Sequence, residues 1–441
     1  MIEKLDSFPE NMKRNTVWTI SNFCRGKPPP DWDKISKVIP PLVALLVDTK
    51  DYDVTVDILW AISFLSEDRE ENETNGDNNE NNNYHHYQID AILQTGVMKY
   101  IITLVKHAQQ LALDAFNEIN EVFVFFFFWK IHIFLFLSEP FFFFPDRSFL
   151  KIQAANENPS RDIEIPNQVR QKLTTSDFLI APCVRIMGNI VSGNDEQTLE
   201  VVKAGFFDII ETCLDHRVKN IKKESCWALS NVVAGLHEHI DLFFHRKELI
   251  ELYFVTFFFS KKKKKKHICF SVFYGKVIKL CLYDDVNVRK EAGWCLSNAI
   301  CSASFTQAQI LVKYGFIEAM VQLLTFDAEK VVMMAMEALH ECIITYNRHF
   351  NQPENAFNKW AGKMEEVNGL EYLERIQGSE SFSEPCFNMA ATFVTKFWDD
   401  AGQFNEADTD DNELGKGGDD QNFIGLNDDT EIGNNTDPYQ F

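Results

Sequence analysis

Apolar residues recur three and four positions apart through most of the chain, which is the spacing of one face of an α-helix. The segment KNIKKESCWALSNVVAG, residues 219–235, follows this spacing. Its residues Glu224, Trp227 and Asn231 fall on one stripe, because side chains three or four positions apart lie over one another in a helix. The residues between them are mostly apolar. The pattern predicts a helix that is buried on its back and presents this stripe on its front.

The stripe recurs in four other segments. Its members, in chain order, are Trp18 and Asn22; Asp57, Trp60 and Phe64; Arg185 and Asn189; and Glu291, Trp294 and Asn298. Phenylalanine takes the asparagine place at 64, and arginine takes the tryptophan place at 185. Trp18 and Trp60 are 42 residues apart, and so are Arg185 and Trp227. This period is typical of helical repeats of the armadillo or HEAT size, so the chain is predicted to be a repeat array.

Each repeat carries a second helical pattern upstream of the stripe. Gly96, Gly205 and Gly315 stand where a short first helix is expected to turn into the second, and glycine permits the positive φ that this corner needs. Units of two to three helices bury their apolar faces by stacking on their neighbours. The predicted fold is therefore all-α, a right-handed superhelical solenoid with two atypical insertions.

The insertions show as breaks in the period. Trp60 to Arg185 is 125 residues, an excess of 83, and Trp227 to Trp294 is 67, an excess of 25. Both excess segments are rich in phenylalanine, and the second adds a run of six lysines. T-rich and A-rich non-coding DNA encodes such runs, so we hypothesise that both are unspliced introns, which continuous reads across them in mature message would contradict. The alternatives are a true loop or a membrane span, and interrupting charges in the first run disfavour the span.

The sequence thus predicts eight segments. Repeats occupy 1–66, 177–253 and 276–398, with partial repeat helices at 89–121. Between them lie an acidic asparagine-rich loop at 67–88, a Phe-rich insertion with an irregular segment at 122–176, and a Phe/Lys-rich insertion at 254–275. Residues 399–441 hold thirteen acids against Lys416 and are predicted to be disordered.

Charge and composition exclude several classes of function. The net charge of −22 argues against the phosphate neutralisation that nucleic-acid binding requires and favours a basic partner. The ten cysteines form no C-x-x-C pair and the eleven histidines show no metal-ligand spacing, so no metal or other cofactor is predicted. Ser230 and Ser297 lie beside stripe asparagines, yet no base is placed in sequence to activate them. The chain is therefore predicted not to be an enzyme.

The segments WTISNFCRGK, DILWAISFLSE, IMGNIVSGNDEQT, KKESCWALSNVVAG and KEAGWCLSNAI resemble importin-α, the armadillo-repeat adaptor of nuclear import, and follow that family's order. They resemble its fourth to eighth repeats, and residues 316–347 and 363–398 resemble its last two. The resemblance implies an adaptor that shuttles between cytoplasm and nucleus. It further implies a groove that binds lysine- and arginine-rich nuclear localisation signals of cargo proteins. An armadillo scaffold of adhesion or cytoskeletal type is the alternative.

The stripe residues suit such a ligand chemically. Indole faces attract cations and pack along their aliphatic stems, acids at the rim pair with the charged heads, and asparagine amides clamp the peptide backbone. By resemblance, the family's smaller, C-terminal site comprises Arg185, Asn189, Asp195, Glu224, Trp227, Asn231, Glu291, Trp294 and Asn298. A remnant of the larger, N-terminal site comprises Trp18, Asn22, Arg25, Asp57 and Trp60.

The resemblance also bears on other partners. The family's first three repeats and the basic segment that recruits importin-β find no counterpart in the sequence, so importin-β is not expected to bind this chain as written. The last repeats and the acidic tail, residues 363–410, are expected to face the export receptor, as they do in the family.

Overall fold

The computed structural model of the chain describes residues 5, 8–68, 78–135, 166–245, 273–353 and 358–398. These parts of the chain form α-helices and no β-strand. In chain order the α-helices are α1 (Glu10–Arg25), α2 (Trp32–Ile35), α3 (Ile39–Asp48), α4 (Tyr52–Leu65), α5 (Asn78–Leu93), α6 (Val97–Leu135), α7 (Asn167–Val191), α8 (Asp195–Ala204), α9 (Phe206–Leu214), α10 (Lys219–Ala234), α11 (His237–His245), α12 (Phe273–Tyr283), α13 (Val286–Cys301), α14 (Phe305–Tyr314), α15 (Phe316–Leu323), α16 (Glu329–His349), α17 (Lys359–Glu366), α18 (Gly369–Gln377) and α19 (Glu384–Phe397). A short 3-10 helix, Ser36–Val38, joins α2 to α3.

After α1, the helices of the described residues repeat in threes, from α2–α4 to α17–α19. The third helix of each unit packs against the third helix of the next unit, so that α1, α4, α7, α10, α13, α16 and α19 form one continuous series of neighbours. We call this series the third-helix row. The chain is therefore an all-α armadillo solenoid, as the period predicted. All five stripe segments lie on the third-helix row.

The three glycines predicted at corners lie where the first helix of a unit turns into the second. Gly96, Gly205 and Gly315 have φ values of 71°, 113° and 109°. The last two end α8 and α14 in the left-handed conformation, where a Cβ would be strained. Both helices begin with a capping box, in which Asn194 pairs with Gln197 and Ser304 with Gln307. The predicted role of the glycines is confirmed.

One hydrophobic core runs through the units, from Val17 on α1 to Phe393 on α19. Phe206 and Phe316, which directly follow two of the corner glycines, are fully buried in it. Their helices bury one apolar face against the third helix of their own unit. Stacking of this kind gives each unit an apolar partner on both sides, since no single unit encloses a core of its own.

The segment predicted to be irregular at 122–176 is partly helical. α6 continues to Leu135, and α7 begins at Asn167 instead of near 177. Ala115 and Ile119 on α6 pack against Val169 and Leu173 on α7 in a second small cluster. Close by, the Ser176 hydroxyl donates a hydrogen bond to the Ala108 carbonyl at 2.7 Å. The two helices are longer than their counterparts because these apolar residues bury one another outside the main core.

The predicted loop at 67–88 is also partly wrong, because α5 begins at Asn78. His85, Ile89 and Ile92 are buried on one side of this helix, and the His85 ring lies 3.2 Å from the Ser66 carbonyl at the end of α4. Helical packing therefore begins inside the asparagine-rich stretch. Most of both insertions, including the lysine run, and the acidic tail lie outside the described residues. No helix in the described part of the chain is long and apolar enough to span a membrane.

Candidate functional site

A cluster of charged and aromatic side chains joins three neighbouring helices of the third-helix row. Arg185 on α7 forms ion pairs with Glu224 on α10 at 2.9 Å and with Glu67, just after α4, at 3.1 Å. The guanidinium also lies over the Trp227 ring, 5.2 Å from its centroid. These contacts are possible because α4, α7 and α10 are consecutive neighbours in the row. The Arg185 charge is thus balanced within the chain.

Glu224 is not the accessible rim acid that the sequence predicted. Only 6% of the residue is exposed, and Lys223 adds a second ion pair at 3.2 Å. Burial acts to raise the pKa of Glu224, but Arg185 and Lys223 outweigh it and bring the pKa below its ordinary value. Two cations of the protein already neutralise this carboxylate, so the expected pairing of Glu224 with a ligand cation is corrected.

Glu291, at the equivalent position on the next helix of the row, differs in its pairing. It is half-buried, and the described residues form no ion pair with it. Burial raises its pKa to about 7. The charge of Lys223 opposes this rise, the Glu224 carboxylate adds to it, and Arg185 and Lys290 oppose it more weakly. α13 therefore carries, on the same helix as Trp294, a half-buried carboxylate that forms no ion pair with the described residues.

The tryptophans of the stripe differ in exposure. Trp18 and Trp294 are 59% and 38% exposed, whereas Trp60 and Trp227 are half-buried. Trp60 stacks on Phe64 one turn along α4, with ring centroids 5.8 Å apart. Trp227 lies against α7, beside Arg185 and Gly188. All four indoles remain at least partly open to solvent, as the groove interpretation requires.

Two of the stripe asparagines, Asn189 and Asn298, use their amide hydrogens within the chain. Asn189 is 3% exposed and donates both amide hydrogens to Ser63 and Ser66 on the neighbouring helix. Asn298 does the same with the carbonyl and hydroxyl of Ser230. In these two residues only the side-chain carbonyl oxygen is left for a ligand.

The other two asparagines, Asn22 and Asn231, form no hydrogen bond to the neighbouring helix among the described residues. The Asn22 amide donates to the Trp18 carbonyl of its own helix at 2.8 Å. The buried Nδ2 of Asn231 has no hydrogen-bond partner among the described residues. An unpartnered buried donor costs free energy, and because this nitrogen is closed off from solvent, a ligand does not reach it in the observed side-chain position.

The remaining predicted residues lie outside this cluster. Asp195 is exposed at the start of α8, and one of its oxygens lies near Gly235, at the end of α10. Arg25 ends α1 and is exposed. Asp57 on α4 is half-buried, and burial, followed by the charge of Asp53, raises its pKa to about 6. The N-terminal remnant therefore occupies α1 and α4 and is separate from the cluster around Trp227.

The sequence analysis did not identify three residues of the cluster. Glu67 and Lys223 complete the charge network, and Gly188 forms the surface on which the Trp227 ring lies. A glycine inside a helical pattern was a signal for the last of these, because glycine is unfavourable there without a packing reason. In the described part of the chain, no group of three or more His, Cys, Asp or Glu side chains is arranged to hold a metal ion.

Comparison with known families and relatives agrees with the architecture. The armadillo/beta-catenin-like repeat matches residues 194–234. Importin subunit alpha-3 of Arabidopsis thaliana is 25% identical over 404 residues, covering 90% of this chain and 55% of the relative. Importin subunit alpha-1 of Schizosaccharomyces pombe is 42% identical over 98 residues, covering 22% of this chain and 15% of the relative. The chain thus spans about half the length of the first of these relatives and less of the second.

The chain also matches solved structures at low identity. A computationally designed armadillo repeat protein for modular peptide recognition is 18% identical, with a TM-score of 0.48, and covers 81% of this chain and 99% of that chain. A second designed armadillo repeat protein, in complex with the peptide (KR)4, is 18% identical, with a TM-score of 0.46, and covers 77% of this chain and 97% of that chain.

Proposed function

The chain belongs to the importin-α family of armadillo-repeat proteins, and from this membership we propose that it binds lysine- and arginine-rich nuclear localisation signals of cargo proteins. In this role it is a non-enzymatic adaptor of nuclear import that moves between cytoplasm and nucleus. The ligand lies in extended form across the third-helix row, over α10 and α13. An export receptor is a further candidate partner by family membership alone.

The single observation that carries the proposal is the contrast between Glu224 and Glu291. The first carboxylate is neutralised by Arg185 and Lys223, whereas the second is half-buried without an ion pair from the described residues. A half-buried carboxylate without a counter-ion is unfavourable, and a ligand cation that supplies the counter-ion is correspondingly favoured. The protein thus holds one cation site already filled and a neighbouring one that suits a ligand.

Two neighbouring groups extend this site to a whole peptide. The exposed indole of Trp294, one turn beyond Glu291, offers an aromatic face to a cation, worth about 0.5–2 kcal/mol depending on desolvation. The half-buried carboxamide of Asn231, on the stripe of the neighbouring α10, adds a polar group for the ligand main chain. A ligand that carries both a cationic side chain and an extended backbone satisfies all three groups.

Titration of the purified chain with a fluorescently labelled Lys/Arg-rich peptide tests the proposal. We expect saturable binding that weakens as salt is added, because exposed charges are screened. A peptide of equal length with glutamine in place of each basic residue is the matched control and is expected not to bind. If the basic peptide does not bind either, the proposal is wrong, and a scaffold role of adhesion or cytoskeletal type takes its place.

The affinity for the basic peptide is expected to fall as the pH is lowered from about 8 to about 6. The pKa of Glu291 is about 7, so the carboxyl group carries a proton over the lower half of this range. A protonated carboxyl does not attract a cation, and binding therefore requires release of that proton. The measurement is the dissociation constant across this range, with a peptide that contains no histidine.

Glu291→Gln is the control for this pH dependence. It keeps the shape and one oxygen of the side chain but does not titrate, so its affinity is expected to be weak and nearly constant with pH. Equal pH dependence in the wild type and in Glu291→Gln would assign the effect to another group, such as Asp57, whose pKa is about 6.

A further inference from the structure

Gly188 on α7 lies directly against the indole of Trp227. A Cβ built on Gly188 would stand 2.2 Å from Cζ3, 2.6 Å from Cε3 and 3.2 Å from Cη2 of that ring. No non-bonded carbon atoms approach to the first two distances, since carbon–carbon contacts are optimal near about 3.5–4.0 Å. The ring position seen in the structure therefore requires that residue 188 have no side chain.

The helix itself gives no reason for glycine at this position. Gly188 lies inside α7, three residues after Arg185, and has ordinary helical neighbours. Alanine in a helix interior is more stable than glycine by about 0.5–1 kcal/mol. The contact with Trp227 is the feature of the structure that opposes this gain.

α7 thus supplies two parts of the indole's surroundings. The Arg185 guanidinium lies over the ring, and Gly188 makes room for its benzo edge. Trp227 itself belongs to α10, so the neighbouring helix fixes the direction in which this indole points. Because Arg185 is itself held by Glu67 and Glu224, the guanidinium does not follow the ring if the ring moves.

We propose that Gly188 is a positioning residue for the groove, which holds the Trp227 indole against α7 so that its remaining surface is presented to a basic ligand. This inference rests on the proposed function. A methyl group at 188 displaces the whole ring, because an indole is rigid and moves only by rotation about its two side-chain torsions. The displaced ring loses its contact with Arg185 and its alignment with a bound cationic side chain.

The test compares Gly188→Ala, Trp227→Ala and the double variant in titrations with the labelled basic peptide. Gly188→Ala is expected to weaken binding about tenfold, close to the effect of Trp227→Ala. In the Trp227→Ala background the same change is expected to alter affinity by less than about twofold, because its effect acts through the missing ring. Additive effects in this cycle, or wild-type affinity in Gly188→Ala, would overturn the inference. Gly362→Ala is the matched control, since a Cβ there meets no atom within 4 Å, and it should bind like wild type.

A second measurement tests the ring position without any ligand. The chain is labelled with 5-fluorotryptophan, and the resonance of Trp227 is assigned by its loss in Trp227→Ala. Gly188→Ala is expected to shift this resonance and to leave that of the distant Trp360 in place. An unshifted Trp227 resonance would refute the positioning role. If the wild type does not bind the peptide, the proposed function fails, while the resonance still decides whether Gly188 positions the ring.

Discussion

Replacing Trp227 and Trp294 together by alanine is expected to weaken binding of a Lys/Arg-rich peptide about a hundredfold. Each indole face contributes about 0.5–2 kcal/mol to the binding of a cation. Losing both faces therefore costs about 1–4 kcal/mol of binding free energy, and the middle of this range corresponds to about a hundredfold loss of affinity. Loss of Trp227 also removes a contact of Arg185, which is then held by its carboxylates alone. The measurement is the dissociation constant by fluorescence anisotropy at fixed salt and pH.

Tyr283→Ala provides a matched aromatic control for these two tryptophans. Tyr283 ends α12, a second helix of its unit, and is 70% exposed, away from the third-helix row. Its removal is expected to leave affinity unchanged. Circular dichroism of each variant shows whether the helices remain folded. Wild-type affinity in the folded double tryptophan variant would exclude the indoles from the site.

Phe316→Ala is expected to lower the free energy of unfolding by about 3–5 kcal/mol. Phe316 is fully buried at the start of α15, immediately after the left-handed Gly315. The corner fixes the backbone on its N-terminal side, so the surrounding helices have little freedom to close the cavity. Urea unfolding followed by circular dichroism measures the loss.

Because each unit contacts mainly its neighbours, this destabilisation is expected to be greatest in the units nearest Phe316. Amide hydrogen exchange in α13 to α16 should therefore accelerate more than exchange in α1 to α4. Phe387→Ala is the control, since Phe387 is 42% exposed on α19 and its loss should change stability by less than about 0.5 kcal/mol. A loss below about 1 kcal/mol in Phe316→Ala would show that the core there repacks.

The repeat architecture was predictable because its causes are local or periodic. The 42-residue interval, the apolar spacing and the corner glycines each act within one unit, and the structure confirms all three. The segment boundaries were less predictable. α5 extends into the asparagine-rich stretch, and α6 and α7 extend into the predicted insertion. In both cases a few apolar residues find partners that are far away in sequence.

The candidate site was likewise predictable in part. The stripe itself follows from helical geometry, so its residues were placed on the correct helices. The pairing of those residues did not follow, because Arg185 meets acids 39 and 118 positions away. Likewise, the amide donors of Asn189 and Asn298 are taken by serines of the neighbouring helix, which no spacing rule indicates.

The sequence alone thus determined the three-helix unit, its repetition and the residues that each third helix presents, since these depend on contacts within about one helical turn or one repeat. Only the tertiary structure decided which of the presented charges are already neutralised and which indole is held in place. Those outcomes depend on the distance between side chains of different units, which is set by how the helices stack. Glu224 and Glu291 occupy equivalent positions in sequence, yet among the described residues only Glu224 forms an ion pair with Arg185 of the preceding unit.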